Sequence, residues 1–117
     1  MNAEEIREYC LKKPYSEEGF PFDSETLVFK VCGKMFLLLS LDSNPLQINL
    51  KCEPSTAIQL RERYTSVLPG YHMNKDHWNT ILLEGSVPKI IIQSWIDESY
   101  RLVVRSLPKK ERDKIIG

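Results

Sequence analysis

The sequence has no excess charge of either sign, because 16 lysines and arginines balance 16 aspartates and glutamates. Without net charge no long-range field attracts the chain to nucleic acid or an anionic membrane, so phosphate contacts must come from locally clustered basic residues. A long apolar run is also missing, since Met35 to Leu39 is far shorter than the roughly 20 residues that span a bilayer. The polar, acidic start at Met1 to Glu5 is unlike a secretory signal. We therefore expect no membrane insertion and a cytoplasmic location.

Cysteine is scarce, and the three that occur, Cys10, Cys32 and Cys52, form no CxxC pair. An odd number without such spacing is typical of free thiols in a reducing compartment. No histidine stands beside a cysteine, and the sequence has neither a Gly-rich phosphate loop nor a paired-carboxylate motif. The two histidines have only one aspartate and several amides near them as further metal ligands. We expect no enzymatic activity, no cofactor and no metal site.

The length of 117 residues predicts a single domain over residues 1–117. Asn2 and Glu5 have the spacing of a capping box, which predicts a first helix that ends by Lys13. Pro54 suits the first turn of a second helix, and the apolar spacing that follows predicts that this helix ends near Ser66.

The segment between the first helix and the first strand, Pro14 to Glu25, is rich in proline, glycine, serine and acidic residues. It also contains Phe20 and Phe22, which are too apolar to be left without contacts. We expect an ordered loop that packs on the core.

Five strands are predicted from β-branched, aromatic and alternating residues. They are Thr26 to Val31, Lys34 to Leu41, Gln47 to Cys52, Tyr71 to Asn74 and His77 to Leu83. The spacing at Cys32-Gly33 and at Lys75-Asp76 is that of a tight turn, so the first two strands and the last two strands are expected to form hairpins.

A third, long helix is predicted with Ser86 as its cap and Pro88 in its first turn. Pro108 interrupts it, and residues 109–114 are expected to be a charged tail or a short terminal helix. The order of elements is therefore α-β-β-β-α-β-β-α. This order predicts an α+β fold of two layers, in which helices pack on an antiparallel sheet of about five strands.

Three motifs, taken in order, give the sequence a likeness to a known family. They are Phe20-Pro21-Phe22, then Val28-Phe29-Lys30-Val31-Cys32-Gly33-Lys34-Met35-Phe36, then Pro69-Gly70-Tyr71-His72-Met73-Asn74-Lys75 with His77-Trp78. Over nearly its whole length the sequence resembles the MmcQ/YjbR family. The resemblance implies a two-layer fold like that of the type III secretion chaperones and CyaY-like proteins.

The same resemblance implies DNA binding, because members of this family are usually called DNA-binding proteins for a proposed double-wing surface. The two hairpins of this sequence correspond to the wings. The matching positions that we expect to touch nucleic acid are Lys30, Lys34, His72, Asn74, Lys75 and His77.

Lysines on the first three strands, together with Lys75, can form a basic stripe that follows a phosphate backbone. The strand lysines are Lys30, Lys34 and Lys51. The alternative is that each is an ordinary solvated residue, because tight pairing need not place Lys30 and Lys34 on one face of the hairpin.

Both faces of the first hairpin are predicted to be apolar. Tight pairing puts Val28, Met35, Leu37 and Leu39 on the face opposite Phe29 and Phe36. Each face therefore needs a cover, which a helix or a partner chain must provide.

In the second hairpin, pairing across the turn puts Asn74 opposite His77 and His72 opposite Asn79 on one face. Two imidazoles and two amides can contact base edges or backbone oxygens. Alternatively, they form hydrogen bonds with the neighbouring loop and hold the hairpin in place. Trp78 can likewise stack on a base or pack in the core.

Two functions follow from these observations. The first is a small DNA-binding protein that contacts nucleic acid through its two hairpins. The second is a protein-interaction module in which the same sheet binds a peptide, another subunit or a second copy of the chain.

Overall fold

The computed structural model describes residues 1–70 and 73–116, which form four helices and six strands. In chain order these are α1 (Ala3–Leu11), β1 (Ser16–Gly19), β2 (Thr26–Val31), β3 (Lys34–Ser40), β4 (Gln47–Lys51), α2 (Pro54–Arg63), β5 (Val67–Pro69), β6 (Trp78–Leu82), α3 (Lys89–Ser106) and α4 (Lys109–Ile116). None of the helices in these described ranges is long and apolar enough to cross a membrane.

The strands form one antiparallel sheet in the order β1-β2-β3-β4-β6-β5. The predicted α+β class is confirmed, and the order of elements roughly follows the prediction. The structure adds β1 within the segment predicted to be a loop, and it selects the terminal helix α4 over a charged tail.

One face of the sheet carries the helices. Ile6 and Cys10 of α1 and Ile96 and Val103 of α3 are at most 1% exposed, and they pack in one core with alternate residues of the strands. Those strand residues are Leu27, Phe29, Val31, Phe36, Leu37, Leu39, Ile48, Leu50, Val67 and Ile81. We call this side the helix face and the opposite side the open face.

The capping box at the start of α1 is confirmed. The Asn2 side chain accepts a hydrogen bond from the Glu5 backbone at 2.8 Å, and the Glu5 carboxylate accepts one from the Asn2 backbone at 3.0 Å. The predicted cap of α3 is wrong, because this helix begins at Lys89 with Pro88 as its N-cap. Ser86 instead donates its hydroxyl to the carboxylate of Glu84.

The β2–β3 hairpin has the predicted turn but not the predicted pairing. Phe29 lies opposite Leu37 and Lys30 opposite Met35, so Phe36 is an extra residue in β3. Such a bulge puts two consecutive side chains on one face. The prediction that Leu37 and Leu39 face away from Phe29 and Phe36 is therefore wrong, and all four lie in the helix-face core.

A single hydroxyl joins α3 to the sheet at this bulge. Ser99, fully buried, donates to the Phe36 carbonyl at 2.6 Å and accepts from the Lys51 backbone N–H at 2.9 Å. The two backbone groups lie where β3 and β4 stop pairing with each other, because Leu37 opposite Leu50 is their last pair at this end.

The segment Pro14 to Glu25 contains β1, which pairs with β2 and lies at the edge of the sheet. Its phenylalanines are not packed as predicted, because Phe20 is 49% and Phe22 64% exposed. Sequence patterning did not reveal β1, since Ser-Glu-Glu-Gly has no apolar alternation.

The second hairpin also differs from the prediction. Helix α2 ends at Arg63 rather than near Ser66, and the partner of β6 is β5, which comes earlier in the chain than the predicted strand. Asn79 lies opposite Pro69 and not opposite His72, and Asn74 is in a turn rather than a strand.

The predicted turn with Lys75 and Asp76 at its tip is present and is held by local hydrogen bonds. The Asn74 side-chain oxygen accepts a hydrogen bond from the Asp76 backbone N–H at 3.0 Å, and the Asn74 backbone carbonyl accepts one from the His77 backbone N–H at 3.1 Å. An Asx turn of this kind competes well with strand pairing. Tyr71 and His72, which belong to the predicted strand, lie outside the described residues.

Candidate nucleic-acid interface

The open face of the sheet is organised in rows that run across the strands. At the end nearest the β2–β3 turn lie Lys30, Met35, Lys51 and Trp78, since Lys30 pairs with Met35 and Lys51 with Trp78. The middle row runs through Val28, Leu38, Asn49 and Thr80, which pair in that order. The far row contains Thr26, Ser40 and Gln47.

A small second core lies on this face. Val28, Leu38 and Trp78 are each at most 8% exposed, and the partly buried Met35 and Met73 pack against them. The packing alternative for Trp78 is therefore confirmed, although Trp78 packs on the side of the sheet away from the helices. Its ring is too buried to stack on a base.

Above this core lies a cleft of about 500 Å³. Phe22 and Asp23 border it on the β1–β2 loop, and Met73 borders it on the segment before β6. The strands contribute the rest of its lining, namely Thr26, Met35, Leu38, Ser40 and Asn49. We call this space the open-face cleft.

A second, polar cleft of about 350 Å³ lies at the end of β4. Lys51, Asn74 and His77 line it, so three of the seven predicted site residues converge there. Cys52, Glu53, Trp78 and Leu102 complete its lining. The side chains of Asn74 and His77 are exposed, and that of Lys51 is half-buried. We call this space the β4-end cleft.

The other four predicted residues are placed differently. Lys30 shares the open face with Lys51, and Lys75 is exposed in the turn, where its carbonyl accepts a hydrogen bond from Arg61 at 3.3 Å. Lys34 pairs with the core residue Val31, and its amine reaches the Ser106 carbonyl at 3.3 Å at the end of α3. Lys34 is therefore on the helix face, apart from the other lysines. His72 lies outside the described residues.

Lys30 and Lys51 thus share a face while Lys34 does not, so the sequence-predicted stripe is reduced to two strand lysines with Lys75 beyond them. The strand spacing of about 4.8 Å puts Lys30 and Lys51, two strands apart, about 10 Å from each other at the backbone. Within the described residues, none of these three lysines forms a salt bridge.

The far end of the open face is acidic. Asp23 accepts hydrogen bonds from the backbone N–H groups of Glu25 and Thr26, and these bonds lower the pKa of its carboxyl. Protonated Glu25 can donate a hydrogen bond to the neighbouring Asp42 carboxylate, and this bond together with the negative charge of Asp42 raises the pKa of Glu25. The open face therefore carries Lys30 and Lys51 near the β2–β3 turn, with Glu17 of β1 opposite Lys30, and Asp23 at its other end.

The thiols are free but not activated. Burial raises the pKa of the Cys10 thiol to about 12, and burial also raises the pKa of Cys32 and of Cys52. At neutral pH each thiol is therefore protonated, which is the unreactive form. Among residues 1–70 and 73–115, no three His, Cys, Asp or Glu side chains are grouped to hold a metal ion.

A small apolar cavity of about 40 Å³ lies on the helix face beneath α2. Asn79 borders it, and its amide donates to the Ala57 carbonyl at 3.2 Å, which holds α2 against β6. The Asn79 side-chain oxygen has no partner among the described residues. The cavity is large enough for one water molecule.

The sequence analysis did not identify the residues of the open-face cleft as a site. The sequence predicts that Phe22 packs on the core and that Met35 lies on an apolar face of the first hairpin that needs a cover, so neither is expected in a site. The available signal was the pair of phenylalanines within a polar segment, since a large apolar residue there either packs or is left for a ligand.

Comparison with known proteins places the chain among proteins of the same length. A family model described as YjbR matches residues 11–102. YjbR of Escherichia coli K12 is 33% identical over 116 residues, covering 99% of this chain and 98% of that protein. YbdF of Escherichia coli O157:H7 is 34% identical over 112 residues, covering 96% of this chain and 92% of YbdF.

Solved structures show the same fold. A crystal structure of a Deinococcus radiodurans protein with a DUF419 domain has a TM-score of 0.91 at 39% identity, covering 97% of this chain and 87% of that one. A crystal structure of a Pseudomonas syringae protein has a TM-score of 0.76 at 29% identity, covering 87% of this chain and 98% of that one. These names state no activity, so function has to be inferred from the site.

Proposed function

The chain belongs to the YjbR family, and from its surface we propose that it is a small DNA-binding protein that contacts nucleic acid through the open face of its sheet. The β2–β3 hairpin forms part of that face, the segment before β6 borders it, and these two elements act as the two wings. The role is binding rather than catalysis, in a reducing cytoplasm where the three thiols stay free.

One observation carries this proposal. Lys51, Asn74 and His77 converge in the β4-end cleft, Lys30 shares the open face with Lys51, and Lys75 is exposed in the turn between Asn74 and His77. Glu17 lies opposite Lys30 and Glu53 lines the cleft, but among the described residues none of the three lysines forms a salt bridge, so their ammonium groups can bind phosphate. The amide and imidazole groups can donate or accept hydrogen bonds at base edges.

Phosphate contacts release counterions, and this makes binding depend on salt. With three lysines in contact with phosphates, the logarithm of the binding constant should fall with the logarithm of salt concentration at a slope of about −2 to −3. Binding is therefore expected at low ionic strength and should weaken steeply as salt is added.

A mobility-shift series at several salt concentrations tests the proposal. Lys51→Ala and Lys75→Ala should each weaken binding and reduce the salt slope by about 1, as expected when one phosphate contact is lost. His77→Ala should weaken binding with a smaller change in slope. Lys34→Ala is the matched control, because it removes a lysine of the same hairpin from the opposite face and should leave binding unchanged.

If Lys34→Ala weakened binding as much as Lys51→Ala, the contact surface would not be the open face. Binding that none of the lysine substitutions affects, or no binding even at low salt, would contradict the proposal.

The alternative function is a protein-interaction module. Exposed Phe22 at the border of the open-face cleft and exposed Phe20 in the same loop favour it, because exposed apolar side chains also bind peptides. A stoichiometric protein partner that purifies with the chain, and that DNA does not displace, would support this alternative over nucleic-acid binding.

A further inference from the structure

We propose that the open-face cleft takes an unpaired base, so that the partner is single-stranded nucleic acid rather than a duplex. This inference rests on the proposed nucleic-acid function and specifies which form of the ligand the site accepts.

The first argument is the chemistry of the cleft. Phe22 is 64% exposed at its border, and the thioethers of Met35 and Met73 lie in its lining. An exposed ring stacks on any base, and methionine sulfur makes favourable contacts with aromatic rings. A volume of about 500 Å³ is in the range of sites that bind small planar ligands.

The second argument is the set of polar groups on its floor. The Asn49 side-chain oxygen accepts the Thr80 hydroxyl at 2.6 Å, which fixes the orientation of the amide. The NH₂ group of Asn49 then remains to donate to a ring nitrogen or carbonyl of a base. Ser40, in the next strand of the lining, adds a hydroxyl that can donate or accept.

The third argument is the order of charges on the open face. Lys30 and Lys51 lie near one end, about 10 Å apart by strand spacing, and Glu17 of β1 lies beyond Lys30 at the border of the sheet. A backbone of phosphates can cross the sheet between the two lysines. Asp23 and Glu25 at the other end repel a second line of phosphates. One strand with its bases turned into the cleft fits this arrangement, whereas a duplex keeps its bases stacked and out of reach.

Fluorescence anisotropy at low salt can test the inference. The probes are a labelled single-stranded DNA 12-mer, the RNA strand of the same sequence and a DNA hairpin duplex. Either single strand should bind at least tenfold more tightly than the duplex. Phe22→Ala should weaken single-strand binding by about 5-fold to 100-fold, which corresponds to the loss of one stacked base.

Ile90→Ala is the matched control, because Ile90 is 70% exposed on α3 and its truncation removes apolar surface away from the open face. Binding by this variant should be unchanged. Both positions are exposed, so urea unfolding should give wild-type stability for each and exclude misfolding as the cause of a change.

The outcomes separate this inference from the proposed function. Duplex binding as tight as single-strand binding, or single-strand binding that Phe22→Ala leaves unchanged, would overturn the cleft assignment while DNA binding stands. No binding of any probe at low salt would overturn both. Tight binding of either single strand supports the cleft assignment. If DNA and RNA differ in affinity, the tighter of the two identifies the sugar that the binding site prefers.

Discussion

At the scale of the residue, Ser99 connects α3 to two strands of the sheet. Its hydroxyl satisfies the Phe36 carbonyl at the bulge and the Lys51 N–H at the end of β4. Without the hydroxyl, two backbone groups inside the protein lose their partner. We expect Ser99→Ala to lower the free energy of unfolding by about 2 kcal/mol, the typical cost of leaving buried polar groups unpaired. Urea denaturation measures this change.

Ser94→Ala is the control for that substitution. Ser94 lies exposed on the same helix, and its hydroxyl bonds only to the Ile91 carbonyl of the preceding turn. Alanine favours helix there, so stability should be unchanged or slightly higher. Equal effects of the two substitutions would show that Ser99 contributes only through helix propensity.

Gly70 lies so close to Trp78 of β6 that there is no room for a side chain. A Cβ atom at this position would lie 2.9 Å from the Trp78 carbonyl oxygen and 3.0 Å from the Trp78 Cβ. Gly70→Ala must therefore push position 70 and Trp78 apart, which should lower the free energy of unfolding by about 1 to 3 kcal/mol. Thermal or urea unfolding measures the loss. Gly19→Ala, where a Cβ meets nothing within 4 Å, should not destabilise the protein.

At the scale of the element, the ends of β2 and β3 away from their turn bring the carboxyl groups of Glu25 and Asp42 close together. Asp42 raises the pKa of Glu25 above its ordinary value of 4.5. The folded state then binds a proton more readily than the unfolded state, so the free energy of unfolding falls as pH rises through the raised pKa of Glu25. Asp42→Asn should remove this fall and make the protein more stable than wild type at neutral pH.

Unfolding of both proteins at a series of pH values from 4 upward measures that difference. The difference in free energy of unfolding between Asp42→Asn and wild type should grow as pH rises above 4.5, the ordinary pKa of Glu25, and then become constant. Glu62→Gln, on the exposed side of α2, is the control and should not alter the profile. A gap that is the same at acid and neutral pH would contradict the repulsion.

Local sequence signals predicted the elements that local interactions define. The capping box of α1 and the Cys32-Gly33 turn involve residues at most a few positions apart, and both are correct. The strand β1 depends on pairing with β2 and on Arg7, whose guanidinium donates two ways to the Glu18 carboxylate. A contact eleven residues apart leaves no period in the sequence, so β1 was not predicted.

Face assignments were harder to predict than element boundaries. The single extra residue Phe36 moved Leu37 and Leu39 to the helix face, since one residue changes which way every following side chain points. Lys34 and Lys30 lie on opposite faces because of the tight pairing next to the turn, which the bulge at Phe36 does not change. For the site, the sequence identified Lys51, Asn74 and His77 as candidates but not the open-face cleft beside them, which depends on how two distant segments meet over the sheet.

At the scale of the whole molecule, both faces of the sheet are apolar at the centre, but only one is covered by helices. The apolar pattern of the first hairpin predicted that both faces need a cover, from a helix or a partner chain. The structure provides part of it through Met73 and the β1–β2 loop, and the open-face cleft is the part left uncovered.

The two outer strands of the sheet determine how copies of the protein can meet. The strand β1 has four residues, two of them glutamates, and β5 has only three residues, one of which is Pro69 and lacks an N–H. Short, charged or proline-containing borders prevent a neighbouring chain from extending the hydrogen-bond ladder. Since opposite charges cancel over the molecule, mutual repulsion does little to keep it dispersed, and these two borders are its main protection against fibrous self-assembly.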